Sequence, residues 1–215
     1  MNNGANIAGV PLLYLDEDLI VLDKPAGLLS VPGRGPDKQD CLSARVQTRW
    51  PDARVVHRLD MATSGLMLMA RQAQSQRWLS RAFEAREVHK QYLAVVCGVV
   101  DAQYGEQWHC IDLPLAADWP QRPRQRVDVH QGRPSQTRWR VLERKPQTTR
   151  LLLEPITGRS HQLRVHLQAL GHPIVGDALY GPHSPEGRLL LHAHRLNLTH
   201  PRTGEPLSFE SAAPF

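Results

Sequence analysis

The chain has 215 residues, 41% hydrophobic and 22% charged, a length and balance that suit one globular domain with a real core and exclude a largely disordered chain. Its formal net charge is +5, with 22 arginines against 4 lysines, and the planar guanidinium fork points to an anionic partner, RNA or DNA, against the plainer reading of an arginine-rich composition. Cys41, Cys97 and Cys110 make no CxxC pair, and no apolar run nears the ~18 to 20 residues of a membrane span, so a disulfide framework, a cysteine zinc site and a membrane helix are excluded.

In chain order, residues 1–10 read as a flexible leader without the basic start and apolar core of a signal peptide, which leads us to expect a cytoplasmic protein. Leu12–Leu15 and Leu19–Asp23 read as strands of a hairpin around Asp16-Glu17-Asp18, and the Gly- and Pro-rich stretch 24–36 as a loop with fixed turns. Asp40 is placed to cap a helix that carries Leu42, Val46 and Trp50 inward and stops at Pro51. Leu66–Ala70 reads as a buried strand. Residues 72–86 form a helix by the spacing of Trp78, Leu79, Ala82 and Phe83. A strand over Val88–Val96 follows, then an irregular proline-rich stretch over 98–134. Strands over Thr137–Glu143 and Arg150–Glu154, a helix over Ser160–Leu170 and a strand over Leu189–Leu198 complete the chain. Strands and helices interleave irregularly with hairpin-like turns, which predicts an α+β domain on a mixed, mainly antiparallel sheet flanked by helices and loops. Neither GxGxxG after a strand nor a GxxxxGK[ST] loop occurs, so no nucleotide cofactor is expected.

Chemistry gathers in a few stretches. In HRLDMATSGLMLMAR, residues 57–71, Asp60 stands at the mouth of an apolar run, where an unpaired carboxylate is costly. It is either a turn residue satisfied by Arg58 and backbone N–H groups, or an ionised carboxylate able to act as a nucleophile or to stabilise positive charge at a sugar C1′. In PITGRSHQLRVHLQ, residues 155–168, Thr157 or Ser160 can cap a helix with His161, Arg164 and Gln168 on a polar stripe and Leu163, Leu167 and Leu170 on the apolar one. The Gly-Arg-Ser-His lead-in brings Arg159, His161 and Gln162 beside free helix N–H groups, a ready anion site. Tyr92 in HKQYLA is either a core tyrosine or a ring that packs on a flipped base. Arg122, Arg124 and Arg126 of RPRQR, with Arg133, Arg138 and Arg140, belong either to a solvated loop or to a phosphate-contacting surface. The eleven histidines match no HExxH or Cys/His set, and no metal site is expected.

Taken together, LDKPAGLLSVPGR (22–34), HRLDMATSGLMLMA (57–70), KQYLA (90–94), DLPLAADWPQRPRQ (112–125), PITGRSHQLRVHLQALGHPIVGD (155–177) and RLLLHA (188–193) resemble the RluA family of RNA pseudouridine synthases along nearly the whole chain. The resemblance implies a single catalytic domain over 11–215, with no room for the S4-type RNA-binding module that many relatives carry. It implies Asp60 as the catalytic aspartate, Tyr92 stacked against the uracil, and Arg164 paired with the catalytic carboxylate. Arg58 is implied to enter the RNA and help displace the base. His57, Arg159, His161, Gln162, Arg122, Arg124 and Arg126 are expected to contact the RNA, and Leu189, Leu190 and Leu191 to close the pocket floor. The implied activity is isomerisation of uridine to pseudouridine in structured RNA, in a tRNA anticodon stem-loop and a 23S rRNA hairpin, by a monomer with no cofactor, metal or membrane partner. A catalytically silent RNA-binding or ribosome-assembly factor on the same scaffold is the alternative. A retaining glycoside hydrolase lacks the second carboxylate it would need beside Asp60.

Overall fold

The structure, a computed structural model, describes residues 6–101, 103–182 and 187–215. Its strands are β1 (Asn6–Ile7), β2 (Val10–Leu15), β3 (Leu19–Lys24), β4 (Arg54–Val55), β5 (Ser64–Ala70), β6 (His89–Cys97), β7 (His109–Asp112), β8 (Leu115–Ala117), β9 (Gln125–Val127), β10 (Gln136–Arg144), β11 (Thr148–Pro155), β12 (Leu191–Thr199) and β13 (Pro206–Glu210). The helices are α1 (Leu42–Gln47), α2 (Ala73–Glu84) and α3 (Gln162–Ala169). The chain divides into two compact units, residues 1–90 with 192–214, and residues 91–191 with 215. Among the described residues no helix is long and apolar enough to cross a membrane.

In the first unit β1, β2, β3 and β5 lie side by side and antiparallel. The free edge of β5 is shared by two short pairings: β12 runs parallel to its start at Ser64 and Gly65, and β4 antiparallel to its end at Met69 and Ala70. A strand enclosed in this way reads as a continuous apolar run rather than an alternating one. Met67, Leu68, Met69 and Ala70 are accordingly fully buried, paired with Leu19–Leu22 of β3, and α2 packs on β5. Gly65 is required where it stands. Its φ is +109°, and a Cβ there would lie 2.3 Å from the backbone oxygen of Ala193. In the second unit β6, β11, β10 and β7 form an antiparallel sheet over a core that includes Trp139, Val141, Leu151 and Leu153.

The sheet is thus mixed and mainly antiparallel, as the interleaving predicts, but several local expectations differ. Within the stretch 1–10, expected to be a flexible leader, Asn6–Ile7 pairs with Val10–Pro11 through a tight turn at Ala8 and Gly9, and Ile7 is buried. Residues 1–5 lie outside the described residues. Cys41 rather than Asp40 caps α1, its Sγ accepting from Ala44 N at 3.5 Å, while Asp40 takes a bidentate ion pair from Arg45. The stretch 98–134 contains β7, β8 and β9, three strands of three or four residues too short to leave an alternation.

Candidate active site

Asp60 occupies a loop that leads into β5, and its two neighbours are both tied to the 24–30 loop. The hydroxyl of Ser30 accepts from Leu59 N at 3.1 Å and donates to Leu59 O at 2.7 Å, so one side chain clasps both backbone groups. On the other side Met61 O accepts from Gly27 N at 2.8 Å and from Lys24 Nζ at 3.1 Å. Thr63 N closes the turn on Asp60 O at 3.1 Å. The half-buried carboxylate therefore stands on a backbone held from three directions.

Lys24 is the residue that sequence reasoning passed over. It is fully buried and donates to Pro25 O (2.9 Å), Leu28 O (2.8 Å) and Met61 O (3.1 Å), which uses all three protons of an ammonium. Burial pulls its pKa down to about 8, and the charge of Asp60 works against that shift. A lysine ending a strand that opens with four apolar residues, just before Pro25, was the available signal; its partners lie as far off as Met61 and cannot be read from spacing.

The same loop is anchored by His57. Its Nε2 accepts from Leu68 N at 2.9 Å and its ring stacks on Phe83 with centroids 4.6 Å apart. Burial, then the nearby charge of Lys90, pushes its pKa down to about 3, so the ring is neutral. His57 thus braces the loop against β5 and α2. At the start of β5, Ser64 Oγ meets His192 Nδ1 at 2.9 Å, His192 Nε2 meets Ser211 Oγ at 3.1 Å, and Ser211 Oγ donates to Asp23 Oδ2 at 2.7 Å.

In the second unit, Tyr92 is half-buried in β6 opposite Leu153 of β11. Arg164 lies on α3, where the sequence pattern predicts a polar stripe; instead every residue from Gln162 to Leu167 is buried. The polar ones are held by internal partners. Arg164 gives Nε and Nη2 to the two oxygens of Asp177, both at 2.7 Å, and Asp177 Oδ1 also accepts from Leu179 N and Tyr180 N. His166 meets Thr137 Oγ1 and Leu113 O. Gln162 Oε1 accepts from Thr157 Oγ1 and Arg159 N, and its Nε2 donates to Gln136 O and Thr137 Oγ1. Gln162, 4% exposed, thus ties the residues that lead into α3 to the start of β10.

His161 and Arg124, both half-buried, also have partners within the protein. His161 Nδ1 meets Tyr180 Oη at 2.7 Å, and that hydroxyl also accepts from Gln125 N. Arg124 gives Nη1 to Gln121 Oε1 and Nη2 to Leu179 O. Arg58, Arg122, Arg126 and Arg159 are exposed, with Arg126 paired to Asp128 at 3.0 Å and Arg159 Nε on Pro134 O at 3.3 Å. Leu189, Leu190 and Leu191 are buried, and the backbone of Leu190 bonds to Val95 and Val175. Asp16, Asp18 and His200 bring ligand-type atoms within 4.8 Å of one another, but Tyr14, Ser75, Arg202 and backbone N–H groups already bond to them.

The RNA pseudouridylate synthase family matches residues 18–169, a span that contains Asp60, Tyr92 and Arg164. The chain is 48% identical over 210 residues to the dual-specificity RNA pseudouridine synthase RluA of Escherichia coli (strain K12), covering 95% of this chain and 93% of that protein. It is 50% identical over 199 residues to the protein of the same name from Vibrio cholerae serotype O1, covering 90% and 79%. Among solved structures, human RNA pseudouridylate synthase domain containing 1 superposes with a TM-score of 0.77 at 30% identity, covering 99% of this chain and 87% of that one. The apolar run that mounts a pinned aspartate, and the motifs around it, thus belong to a known isomerase: the chain is a member of the RluA-type RNA pseudouridine synthases, which convert uridine to pseudouridine in RNA.

Proposed function

We propose that this chain modifies a uridine in the tRNA anticodon stem-loop and one in a 23S rRNA hairpin, with Asp60 as the essential carboxylate. The observation that carries the mechanism is the backbone around Asp60, clasped by Ser30 and Lys24 on both sides so that its side chain meets a substrate at a defined position. The target RNAs rest on the dual specificity printed in the names of the RluA relatives.

The reaction breaks the N1–C1′ bond, turns the uracil and joins C5 to C1′, conserving every atom and electron. It therefore calls for no redox agent or phosphate donor. Detachment of the base leaves cationic character at the ribose, which an ionised carboxylate stabilises or captures. Tyr92 is assigned to the face of the flipped uracil and Arg164 to partnership with the carboxylate, as the family motifs imply. Flipping costs a few kcal/mol of unstacking, and Arg58, exposed two residues before Asp60, is assigned to the gap left in the RNA, as the family motif implies.

Release of tritium from [5-³H]uridine-labelled tRNA and 23S rRNA tests both parts. The wild-type chain releases one tritium per modified site from each RNA, and Asp60→Asn releases none while binding RNA as before. Full activity in Asp60→Asn would sink the mechanism. Release from only one RNA would restrict the targets.

A further inference from the structure

The β8–β9 hairpin presents an aromatic surface for which the reading above has no use. Trp119, at its tip, exposes 65% of its surface, and the guanidinium carbon of Arg122 lies 3.5 Å from its ring centroid. A scattered exposed apolar residue needs no explanation. A tryptophan already stacked with a cation on a braced loop is a different object. Asp118 N donates to Arg124 O, Gln121 N to Asp118 O and Arg124 N to Gln121 O, so the tip is closed by its own backbone. Arg124 fastens it to Leu179 O, and Gln125 N fastens it to the hydroxyl of Tyr180. At the base, Leu115 and Arg133 exchange both backbone bonds, at 3.0 and 2.8 Å. The ordering of Trp119 is thus largely complete before any partner arrives, which lowers the cost of binding.

The surroundings select the occupant. Arg122, Arg126 and Arg133 are all exposed on this excursion, and arginine interleaved with an aromatic is the pattern that grips single-stranded nucleic acid: bases stack on the ring and phosphates meet the cations. We propose that Trp119 and Arg122 form a stacking platform for one unpaired base of the substrate RNA, outside the nucleotide that is isomerised. This deepens the functional reading and rests on it: the platform selects hairpin loops with splayed bases and discriminates against continuous duplex.

Wild-type, Trp119→Ala, Trp119→Phe and Arg122→Gln full-length proteins are compared on an anticodon stem-loop RNA, with 2-aminopurine placed at each loop position in turn. At one position other than the target uridine, binding of the wild type quenches the fluorophore; Trp119→Ala abolishes that quenching, and Trp119→Phe retains most of it. In tritium release Trp119→Ala raises KM about tenfold, the loss of one base–aromatic stack, and lowers kcat much less. Arg122→Gln weakens binding and flattens its salt dependence by about 0.7 in the log–log slope, whereas Trp119→Phe leaves that slope alone. A folded Trp119→Ala with wild-type KM and quenching overturns the platform, as does equal loss in Trp119→Phe and Trp119→Ala. The two readings fail separately: a wild type that quenches but releases no tritium overturns the proposed activity and leaves the platform standing, and an active enzyme indifferent to residue 119 does the reverse.

Discussion

His57 shows what one buried ring does to the response of the whole fold to acid. Its Nε2 must stay unprotonated to accept from Leu68 N, and burial with the nearby Lys90 lowers its pKa from 6.5 to about 3. Between those values the unfolded chain binds a proton that the native chain refuses, so stability rises with pH there. The contribution is complete above pH 6.5 and is lost on acidification towards pH 3. In this window the wild type loses up to about 1.4 kcal/mol per pH unit through this one group. His57→Gln keeps an acceptor for Leu68 N and has nothing to titrate. Urea midpoints from pH 7 to pH 4 are expected to fall more steeply for the wild type than for His57→Gln; parallel lines would mean that His57 is not held neutral by the fold. RNA affinity at pH 7.5 is expected to be the same in both, because the ring is already engaged with Leu68 N and Phe83.

At the scale of elements, the loop bearing Asp60 depends on the junction of β5 with β12. Ala at position 65 would drive a Cβ to 2.3 Å from Ala193 O, a backbone atom that cannot rotate away, at a φ of +109° that side chains rarely adopt. Gly65→Ala is therefore expected to cost more than about 3 kcal/mol, read as a lowered denaturant midpoint, and to reduce tritium release per folded molecule. In the second unit Asp177→Asn removes the charge that pairs bidentately with the buried guanidinium of Arg164, a loss of about 3–5 kcal/mol, measured in the same way. A shift of under ~1 kcal/mol, the scale of exposed pairs, would contradict the buried pairing. These junctions also mark the limit of what the sequence reveals. β2, β3, β5, β6, β10, β11 and α2 are legible because each carries an apolar signal of its own over six or more residues, a continuous run in β3 and β5 and helical spacing in α2. β13, whose side chains alternate only between exposed and half-buried, leaves no such trace. The α3 pattern misleads for a stated reason: Gln162, Arg164 and His166 are polar but satisfied inside, so polarity does not mark the wet face. Asp60 became legible through its motif, whereas Lys24, Asp177 and Tyr180 acquire their roles from partners that only the fold brings near.

For the whole molecule, the 22 arginines do not form one pool. Arg164 is bound to Asp177 in the interior, and the half-buried Arg124 to Gln121 and Leu179 O; a guanidinium so committed releases no counterion when RNA binds. Arg159, exposed at the entry of α3 with a single 3.3 Å bond to a backbone oxygen, retains N–H groups for a phosphate. The net charge of +5 therefore overstates the uniformity of the attraction: affinity depends on which arginines face solvent. Salt titration separates the two kinds. Each phosphate contact contributes about 0.7–0.9 to the slope of log affinity against log salt. Arg159→Gln is expected to flatten the slope by about that amount with an unchanged thermal midpoint. Arg124→Gln, which unfastens the β8–β9 hairpin from Leu179, is expected to lower the midpoint and leave the slope close to that of the wild type. If Arg124→Gln flattened the slope as much as Arg159→Gln, the inward arginine would be contributing to the RNA after all, and exposure would not be the property that sorts them.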